Sequence, residues 1–564
     1  MKETRSASQI QYGYLPEQTV DVQGGIWKVR RWNEPPAEHA VDVDALRAEL
    51  VRAVAPWRSN NLDDGFADAV AGGAHIQLRK LNREMGISLE RFPEVWMCRQ
   101  CKRLQFKSDG SCPCGSRSPR SQLPFVGFHS CGRVRAPSIP KCPKHRDIAI
   151  RYPGTASAQD IVFFCPVCQD SIRAGLGFVA CECGDGNYEF TVHRAASVYT
   201  PRNVVLVNPP STHRIRELTA AGGAARALEW VLGGMVEGSA TEVGATAESL
   251  RQQLLASGLP ESIVEDMVLR ASGHLRGPPE PLPLDGAHAA IAEQQAVTMA
   301  LAASNSRTTL EHLQRSVEPT SAAGIRYGRS YADGLAMTGL AAVELYDRFP
   351  VMVGQYAYSR GNPAPGATKL RPFRDKNHAY TIYGEVAETE ALLFLLSPER
   401  VCEWMRRRGH SVPPDQGNDR QRRLALLQSC AFPSHTSAGN EAGEDLVTLV
   451  HSLCHRTIRL LAVHAGIDRN GLSELLVPAH LGFYIYAPAR GDFVLGGLQA
   501  VFESELDSLL RALALDEHRC ALDPGCERNG AACTACLHIG EPSCRLFNRS
   551  LSRTALFGQL GYYC

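Results

Sequence analysis

The chain has 564 residues, 44% of them hydrophobic, and a formal net charge of +1. This length allows about three or four domains with sizeable cores, and the composition excludes a disordered or fibrous protein. The balanced charge excludes a uniformly basic nucleic-acid-binding protein but leaves room for a local basic patch.

The cysteines are the most informative feature of the composition. There are 19 of them, and most stand in close pairs. The polar start of the chain lacks the apolar core of a secretory signal, and no stretch approaches the roughly 18 apolar residues of a membrane-spanning helix. Paired cysteines in such a chain indicate metal ligands rather than disulfide bonds. We therefore expect a cytoplasmic zinc protein without membrane contact.

The N-terminal part of the chain predicts a small α/β segment followed by a metal-binding module. Residues 1–92 contain a β-like stretch at Thr19–Arg31 and a helical stretch near Val43–Val54. Residues 93–200 are dominated by cysteine, basic residues and turn formers. Such a segment buries few apolar side chains, so bound metal must supply much of its stability.

The remainder predicts a helical region, a mixed domain and a cysteine-rich end. Residues 201–325 have helical spacing around a proline-rich break at Gly277–Gly286. Residues 326–512 alternate strand and helix patterns, and residues 513–564 carry the last cysteine cluster. We therefore predict an α+β, multidomain fold with small zinc-ribbon modules. The elements predicted in 326–512 are strands at Tyr346–Ser359, His378–Tyr383 and Phe483–Tyr486 and helices at Glu388–Arg408, Leu446–Ala465 and Gly497–Ala512.

Two similar cysteine patterns predict two zinc ribbons in residues 93–200. Each has a CxxC pair followed by a CxC pair and a glycine, and two such turns can place four thiolates at the corners of a tetrahedron. Four thiolates leave no position for water, so we expect structural rather than catalytic sites. The predicted ligands are Cys98, Cys101, Cys112 and Cys114 for the first ribbon and Cys165, Cys168, Cys181 and Cys183 for the second.

Four residues that lie between these two patterns indicate a third zinc site: His129, Cys131, Cys142 and His145. Two cysteines and two histidines are a common zinc ligand set. In the alternative interpretation the cysteines are buried in the fold and the histidines are exposed. A cross-braced arrangement, in which ligands change partners between neighbouring sites, is also open.

The C-terminal cysteines predict a further structural zinc site. Cys533 and Cys536 form a CxxC pair, with Cys526 before it and Cys544 after it. These four are the preferred ligands, and Cys520 is an alternative to Cys526.

Two histidines, His451 and His455, lie one helical turn apart in the pattern LVHSLCHRTIRLL. Histidines at this spacing can bind one metal ion, but no acidic third ligand is close in sequence. Packing in a core or an interface is therefore the favoured interpretation of the pair.

A basic stretch surrounds the first cysteine patterns. Between Arg91 and Arg151, thirteen lysine and arginine residues oppose three acidic residues. Such a focused charge attracts phosphates, and salt should weaken the attraction. The alternatives are a surface docked on an acidic partner and a solvated surface. The candidate nucleic-acid contacts are Lys102, Arg103, Arg133, Arg135, Lys141 and Lys144, together with Arg360, which lies beside a Gly-Pro-rich loop near Tyr356 and Tyr358.

Several segments resemble a known family. The helix pattern HSLxH, the Ser-Glu pair, the Ile-Tyr strand and the Leu-Gly-Gly-Leu motif within Leu446–Ala500 resemble the helicase-associated domain of unknown function that follows certain superfamily 2 DNA helicases. With the start at Ser8-Gln9-Ile10 and the segment RFPEVWMCRQC, most of the chain resembles the DrmB family, subunits of the bacterial DISARM antiphage system.

The resemblance implies a partner and a division of labour. Residues 326–512 would form the α/β helicase-associated domain and supply the docking surface, beginning near Arg326, for a DrmA-like helicase subunit that holds the ATP site. The two subunits would form a heterodimer that recognises foreign DNA, with a methyltransferase and other defence-system subunits alongside. The family's C-terminal zinc ligands carry over to Cys526, Cys533, Cys536 and Cys544, where they would be structural.

We therefore expect a non-catalytic subunit rather than an enzyme. The chain has no P-loop, no HExxH, no zinc-deaminase pattern and no GxSxG elbow. One alternative is a metal-dependent nuclease that uses Glu385, Glu388 and Glu390 near His378, although a solvated helix start is the favoured interpretation of these acids. Another alternative is a pure scaffold that makes no contact with DNA.

Overall fold

A computed structural model describes most of the chain. The described residues are 2–3, 13–33, 41–79, 86–106, 112–116, 120–152, 158–209, 214–215, 218–219, 222–236, 251, 254–257, 260–261, 263–264, 282–375, 377–412, 417–433, 439–488, 495–515, 519–540, 543–544, 546 and 548–563. The Ser8-Gln9-Ile10 motif, residues 277–281 of the proline-rich break, and Lys107 and Arg117 of the basic stretch lie outside them.

The structure confirms the α+β, multidomain fold, with 36% helix and 24% strand. The chain divides into two compact units, one formed by residues 1–206 and 352–386 and the other by residues 207–351 and 387–564. The first unit therefore joins the predicted N-terminal segment to the cysteine-rich module. Two long strands, Leu340–Ser359 and Tyr380–Leu396, contribute one part to each unit.

The first unit is built mainly from short antiparallel strands. One sheet contains, in spatial order, Lys2–Glu3, Ile87–Arg91, Gly25–Trp32 and Thr19–Val22. Three small sheets make up the cysteine-rich part: Leu104–Gln105, Trp96–Met97 and Ser121–Gln122; Val134–Arg135, Phe125–Phe128 and Glu189–Val192; and Ala149–Arg151, Val162–Phe164 and Ser171–Ala174. The other strands of this unit are Ile76–Arg79, Thr200–Val207 and Arg371–Pro372.

The helices of the first unit cover its largest apolar core. The helix Val43–Ser59 begins where the Asp42 side chain accepts the N–H of Ala45, and it buries Leu46, Leu50, Val54 and Trp57 on one face. This face packs with the short helix Phe66–Ala71 against Ile76, Tyr356 and Ile382 of the strands, among others.

The second unit is mostly helical around two neighbouring strands, Ser473–Val477 and Gly482–Tyr486, which pair with each other. Gly482–Tyr486 also pairs with residues 391–395. Its helices are Gly223–Leu232, Gly286–Ala303, Leu310–Ser316, Ala322–Ile325, Arg326–Ser330, Tyr331–Thr338, Pro398–Arg407, Asp419–Ser429, Glu441–Ala465, Arg469–Gly471, Pro478–His480, Gly497–Ala500, Val501–Glu505, Leu506–Leu515, Gly525–Arg528 and Arg553–Ala555.

The helix Glu441–Ala465 is the central element of this unit. The Asn440 side chain accepts the N–H of Gly443 at its start, and Gly466 ends it with a φ of 65°. Among the described residues it is the one helix long and apolar enough to cross a membrane, but 72% of its apolar window is buried inside the protein.

Two predicted elements are wrong. The predicted helix Glu388–Arg408 is a strand up to Leu396, followed by the helix Pro398–Arg407. Residues 391–396 are all buried, as in a strand covered on both faces, and such an apolar run has no amphipathic period. The start of the predicted helical region 201–325 also differs, because Thr200–Val207 is a strand.

Candidate metal centres

The first cysteine pattern folds into two tight turns that face each other. After the strand Trp96–Met97, the N–H of Cys98 donates to the carbonyl of Arg103 and the N–H of Lys102 donates to that of Cys98, at 2.9 and 3.0 Å. Gly115 closes the second turn with a φ of 74°, a conformation that favours glycine. The structure thus brings together Cys98, Cys101, Cys112 and Cys114, with sulfur–sulfur distances of 3.4 to 3.8 Å.

The next two groups combine the ligands differently from the predicted second ribbon. In the second group Cys181 and Cys183 face His129 and Cys131, and in the third group Cys165 and Cys168 face Cys142 and His145. The Cys165 sulfur lies 3.6 Å from His145 Nδ1, and the Cys183 sulfur lies 3.4 Å from His129 Nδ1. The ligand pairs do change partners, but in nested order: the outer pairs form one group and the inner pairs form another.

Strand pairing explains this nesting. Ala149 pairs with Phe164, which places the turn that contains Cys142 and His145 beside Cys165. The strand Ser171–Ala174 then carries the chain away, and the last cysteine pair precedes Glu189–Val192. Because Glu189 pairs with Phe128, this last pair lies beside the residues that follow Phe128. The four-thiolate ribbon predicted for 165–183 is therefore replaced by two groups of three cysteines and one histidine each.

Turn amides stabilise the thiolate form of the first cysteine in several turns. Burial alone would raise the pKa of Cys98, but the N–H groups of Cys101 and Gln100 lower it to about 6. Cys165 follows the same pattern. Burial alone would raise its pKa, but the N–H groups of Cys168 and Val167 lower it to about 7. The thiolate is the form that binds metal, so the first cysteine of each of these two turns is preorganised for it.

The C-terminal group also differs from the preferred set. It contains Cys520, Cys526, Cys533 and Cys536, with sulfur–sulfur distances of 3.5 to 3.7 Å. Cys520, expected as an alternative to Cys526, instead takes the place of Cys544.

The position of Cys544 follows from the path of the chain after Cys536. The carbonyl of Leu537 lies 2.9 Å from His455 Nδ1, so the segment runs against the helix Glu441–Ala465. The sulfur of Cys544 consequently lies 3.4 Å from His451 Nε2.

A fifth group, in the second unit, contains residues that the sequence did not bring together. His451, His455, Glu474 and Cys544 place their ligand atoms within 4.8 Å of one another, and all four are buried. The missing signal was Glu474, which stands 19 positions after His455 and on a different element. Its position in the strand SELLV, just before three apolar residues, is the one hint of a special role, because a carboxylate in a buried strand needs a partner.

The predicted nucleic-acid contacts are placed in contrasting environments. Lys102, Lys141 and Lys144 are exposed. Arg103 pairs with Asp147 at 2.9 Å, while Arg133 and Arg135 pair with Glu182 at 3.2 and 3.6 Å. An open groove of about 720 Å³ beside the second group is lined by these two arginines and Arg371, but also by Glu17 and Glu182, so its charge is mixed.

Arg360 was wrongly predicted as a nucleic-acid contact. Its exposed fraction is 0%. Its guanidinium donates to the backbone carbonyls of Gly132 and Glu17, at 2.8 and 2.9 Å, and to that of Val198. It therefore ties together three segments inside the first unit and cannot reach a ligand.

The acidic residues of the nuclease alternative do not share one environment. Glu390 is buried and accepts the backbone N–H of Leu498 at 3.0 Å, which caps a helix start. Glu388 is exposed, and the side chain of Glu385 lies outside the described residues.

The fold and these groups define an α+β protein whose cysteine and histidine clusters are arranged to hold metal ions. A family model described as Domain of unknown function (DUF8724) matches residues 6–200, about a third of the chain. No curated protein matches the sequence. The matched residues include the first three metal-binding groups and exclude the two in the second unit.

Proposed function

We propose that this protein is a non-catalytic, zinc-containing subunit of a bacterial antiphage defence complex, which partners a DrmA-like helicase and helps to bind foreign DNA. The observation that carries the proposal is that each group in the cysteine-rich part offers a full set of four protein ligands. A catalytic zinc ion keeps one position for water or substrate. Four-ligand sites of cysteine and histidine instead support a structural role.

Zinc is the metal that best fits these donors. Two groups consist of four cysteines, and two combine three cysteines with one histidine. Thiolate and imidazole ligands in four-coordinate groups select zinc over magnesium or calcium, which require oxygen ligands.

The exposed cations beside the first and third groups support DNA contact. The turns of Cys98 and Cys142 have the same backbone hydrogen bond. The N–H of Lys102 donates to the carbonyl of Cys98, and the N–H of Arg146 donates to that of Cys142. Hydrogen bonds from Leu104 to Ile148 and from Ile150 to Lys102, at 2.9 and 3.1 Å, hold the two turns side by side. Five exposed cations surround them: Arg99, Lys102, Lys141, Lys144 and Arg146. Such a surface suits a phosphate backbone, which is recognised by charge rather than by base sequence.

The helicase partner rests on the resemblance of Leu446–Ala500 to helicase-associated domains and on the missing P-loop. The resemblance and the missing P-loop together support a motor on another subunit. Co-purification from the native operon tests this directly: a helicase-like subunit should elute with the protein at constant ratio, and isolation of the protein alone under gentle conditions would contradict the proposal.

Charge reversal tests the contact with DNA. In the co-purified complex, Lys102→Glu with Lys144→Glu should weaken DNA binding and lower the slope of log affinity against log salt by about two, one for each phosphate that no longer meets a cation. The control is Arg31→Glu with Arg194→Glu, two exposed cations of the same unit outside the cysteine-rich turns. Equal affinity and slope in both double variants would refute DNA contact through this surface and favour the scaffold alternative.

A further inference from the structure

Four metal-binding side chains from three segments meet in the interior of the second unit. His451 and His455 come from the helix Glu441–Ala465, Glu474 from the strand Ser473–Val477, and Cys544 from the C-terminal segment. The exposed fraction is 0% for the two histidines and the glutamate and 4% for the cysteine. Buried polar groups of this kind require partners that satisfy them.

Backbone carbonyls define which nitrogen of each histidine carries a proton. His451 Nδ1 lies 3.2 Å from the carbonyl oxygen of Ser550, and His455 Nδ1 lies 2.9 Å from that of Leu537. A carbonyl accepts only from an N–H, so both Nδ1 atoms are protonated. Both Nε2 atoms therefore present lone pairs to the cluster, the arrangement found where histidine binds a metal.

The atoms that face one another are all electron-pair donors. His451 Nε2 lies 3.2 Å from Glu474 Oε1 and 3.4 Å from the sulfur of Cys544. His455 Nε2 lies 3.1 Å from Glu474 Oε2. Bonds of about 2.0–2.3 Å around a tetrahedral zinc ion separate its ligand atoms by roughly 3.3–3.8 Å. The cluster is close to this size.

Charge decides between a metal ion and a network of protons. One divalent cation, one carboxylate, one thiolate and two neutral imidazoles sum to zero, so the occupied site carries no net charge into the interior. Two protonated histidines beside one carboxylate would leave a buried excess of positive charge, which is costly. Among the described residues, moreover, the 3.1 Å contact between His455 Nε2 and Glu474 Oε2 lacks the angle of a hydrogen bond.

We propose that His451, His455, Glu474 and Cys544 form a closed, mixed-ligand site for a divalent ion of the zinc class. Two nitrogens, one oxygen and one sulfur suit zinc, which accepts all three donor types. Four protein ligands in a buried site leave no position for a substrate, so the ion is structural.

The ion joins the C-terminal segment to the central helix. The sulfur of Cys544 also accepts the N–H of Asn548 at 3.1 Å, and the N–H of Ser552 donates to the Ser452 hydroxyl at 2.8 Å. The carbonyl that orients His455 belongs to Leu537, whose own N–H donates to the backbone carbonyl of Cys533 in the fourth group. Leu537 directly follows the fourth group, which holds it in place, and its carbonyl in turn positions His455, a ligand of the fifth group.

Metal content per folded chain tests the site. The full-length protein, purified reduced, should contain one more ion per chain than the variants Cys544→Ala and Glu474→Gln, measured by mass spectrometry of the metals after gel filtration. The matched control is Cys430→Ala, which removes a fully buried cysteine of the same unit that belongs to none of the five groups. It should keep the wild-type metal content.

Glu474→Gln guards against misfolding as an explanation, because glutamine keeps the shape and polarity of the side chain while it removes the anionic ligand. A folded Glu474→Gln protein that contains one ion fewer per chain than the control supports the site. If Cys544→Ala and Glu474→Gln both elute as folded protein with the wild-type metal content, the site does not exist. Loss of DNA binding plays no part in this test, so its outcome is independent of the proposed function.

Discussion

The nested arrangement of the second and third groups makes a quantitative prediction that needs only cysteine variants. Cys165 and Cys181 belong to one four-thiolate site in the ribbon that the sequence predicts, but to separate groups in the structure. The variant Cys165→Ala with Cys181→Ala should therefore lose two metal ions per chain. The control Cys165→Ala with Cys168→Ala damages a single group and should lose one.

The magnitude follows from the free energy of metal binding. Structural zinc contributes about 10–16 kcal/mol in small zinc-binding modules, as much as the whole stability of a typical domain, about 5–15 kcal/mol. Removing one of four ligands from a group, and with it the ion, should leave the local sheet without its main source of stability. The variant Cys165→Ala with Cys181→Ala should consequently make both Ala149–Arg151 and Glu189–Val192 accessible to a protease. The control should make only Ala149–Arg151 accessible.

Metal content by mass spectrometry and limited proteolysis with mapped cleavage sites measure these two effects. Equal loss of one ion in both double variants would show that Cys165 and Cys181 share a site, and would refute the pairing that strand register indicates. Loss of two ions from Cys165→Ala with Cys181→Ala, and of one ion from the control, would exclude the four-thiolate ribbon.

Two further predictions concern buried side chains. Arg360→Met should destabilise the first unit by about 3–5 kcal/mol, because three buried carbonyls lose a charged donor; denaturant unfolding measures this, and an unchanged midpoint would contradict the structural role. Burial lowers the pKa of His480 to about 4, while an unfolded histidine titrates near 6.5. The unfolded chain therefore binds the proton first, so stability should fall by up to about 3 kcal/mol as the pH drops from about 6.5 to 4. His480→Gln should remove this part of the pH dependence, and an identical pH profile for the variant and the wild type would refute it.

Local features of the metal groups could be predicted from the sequence, whereas their pairing could not. A CxxC or CxC turn is a short-range structure, set by backbone hydrogen bonds and a glycine such as Gly115, so the individual cysteine pairs were recognisable. Which pairs share an ion depends on strand register between distant segments, as with Ala149 opposite Phe164. Repeated spacing favoured two copies of one ribbon, and nothing local opposed it.

Long-range burial explains the other differences. Arg360 stands beside a loop rich in glycine and proline, where an exposed arginine is the usual expectation, but its carbonyl partners come from segments near residues 17, 132 and 198. The run Ala391–Leu396 lacks a period that distinguishes a buried strand from a buried helix. Neighbouring strands, which only the folded chain supplies, decide the question.

With zinc bound, each group would carry a formal charge that matches its exposure. Four thiolates around a zinc ion leave two negative charges, three thiolates and a histidine leave one, and the set of His451, His455, Glu474 and Cys544 leaves none. The charged groups lie near the surface, where Lys102 and Lys144 can offset them, whereas the neutral group is buried on all sides. A net charge in the interior would cost several kcal/mol. Replacing Glu474 by glutamine would therefore place an unbalanced positive charge there, which is why this substitution should eject the ion rather than merely weaken one bond.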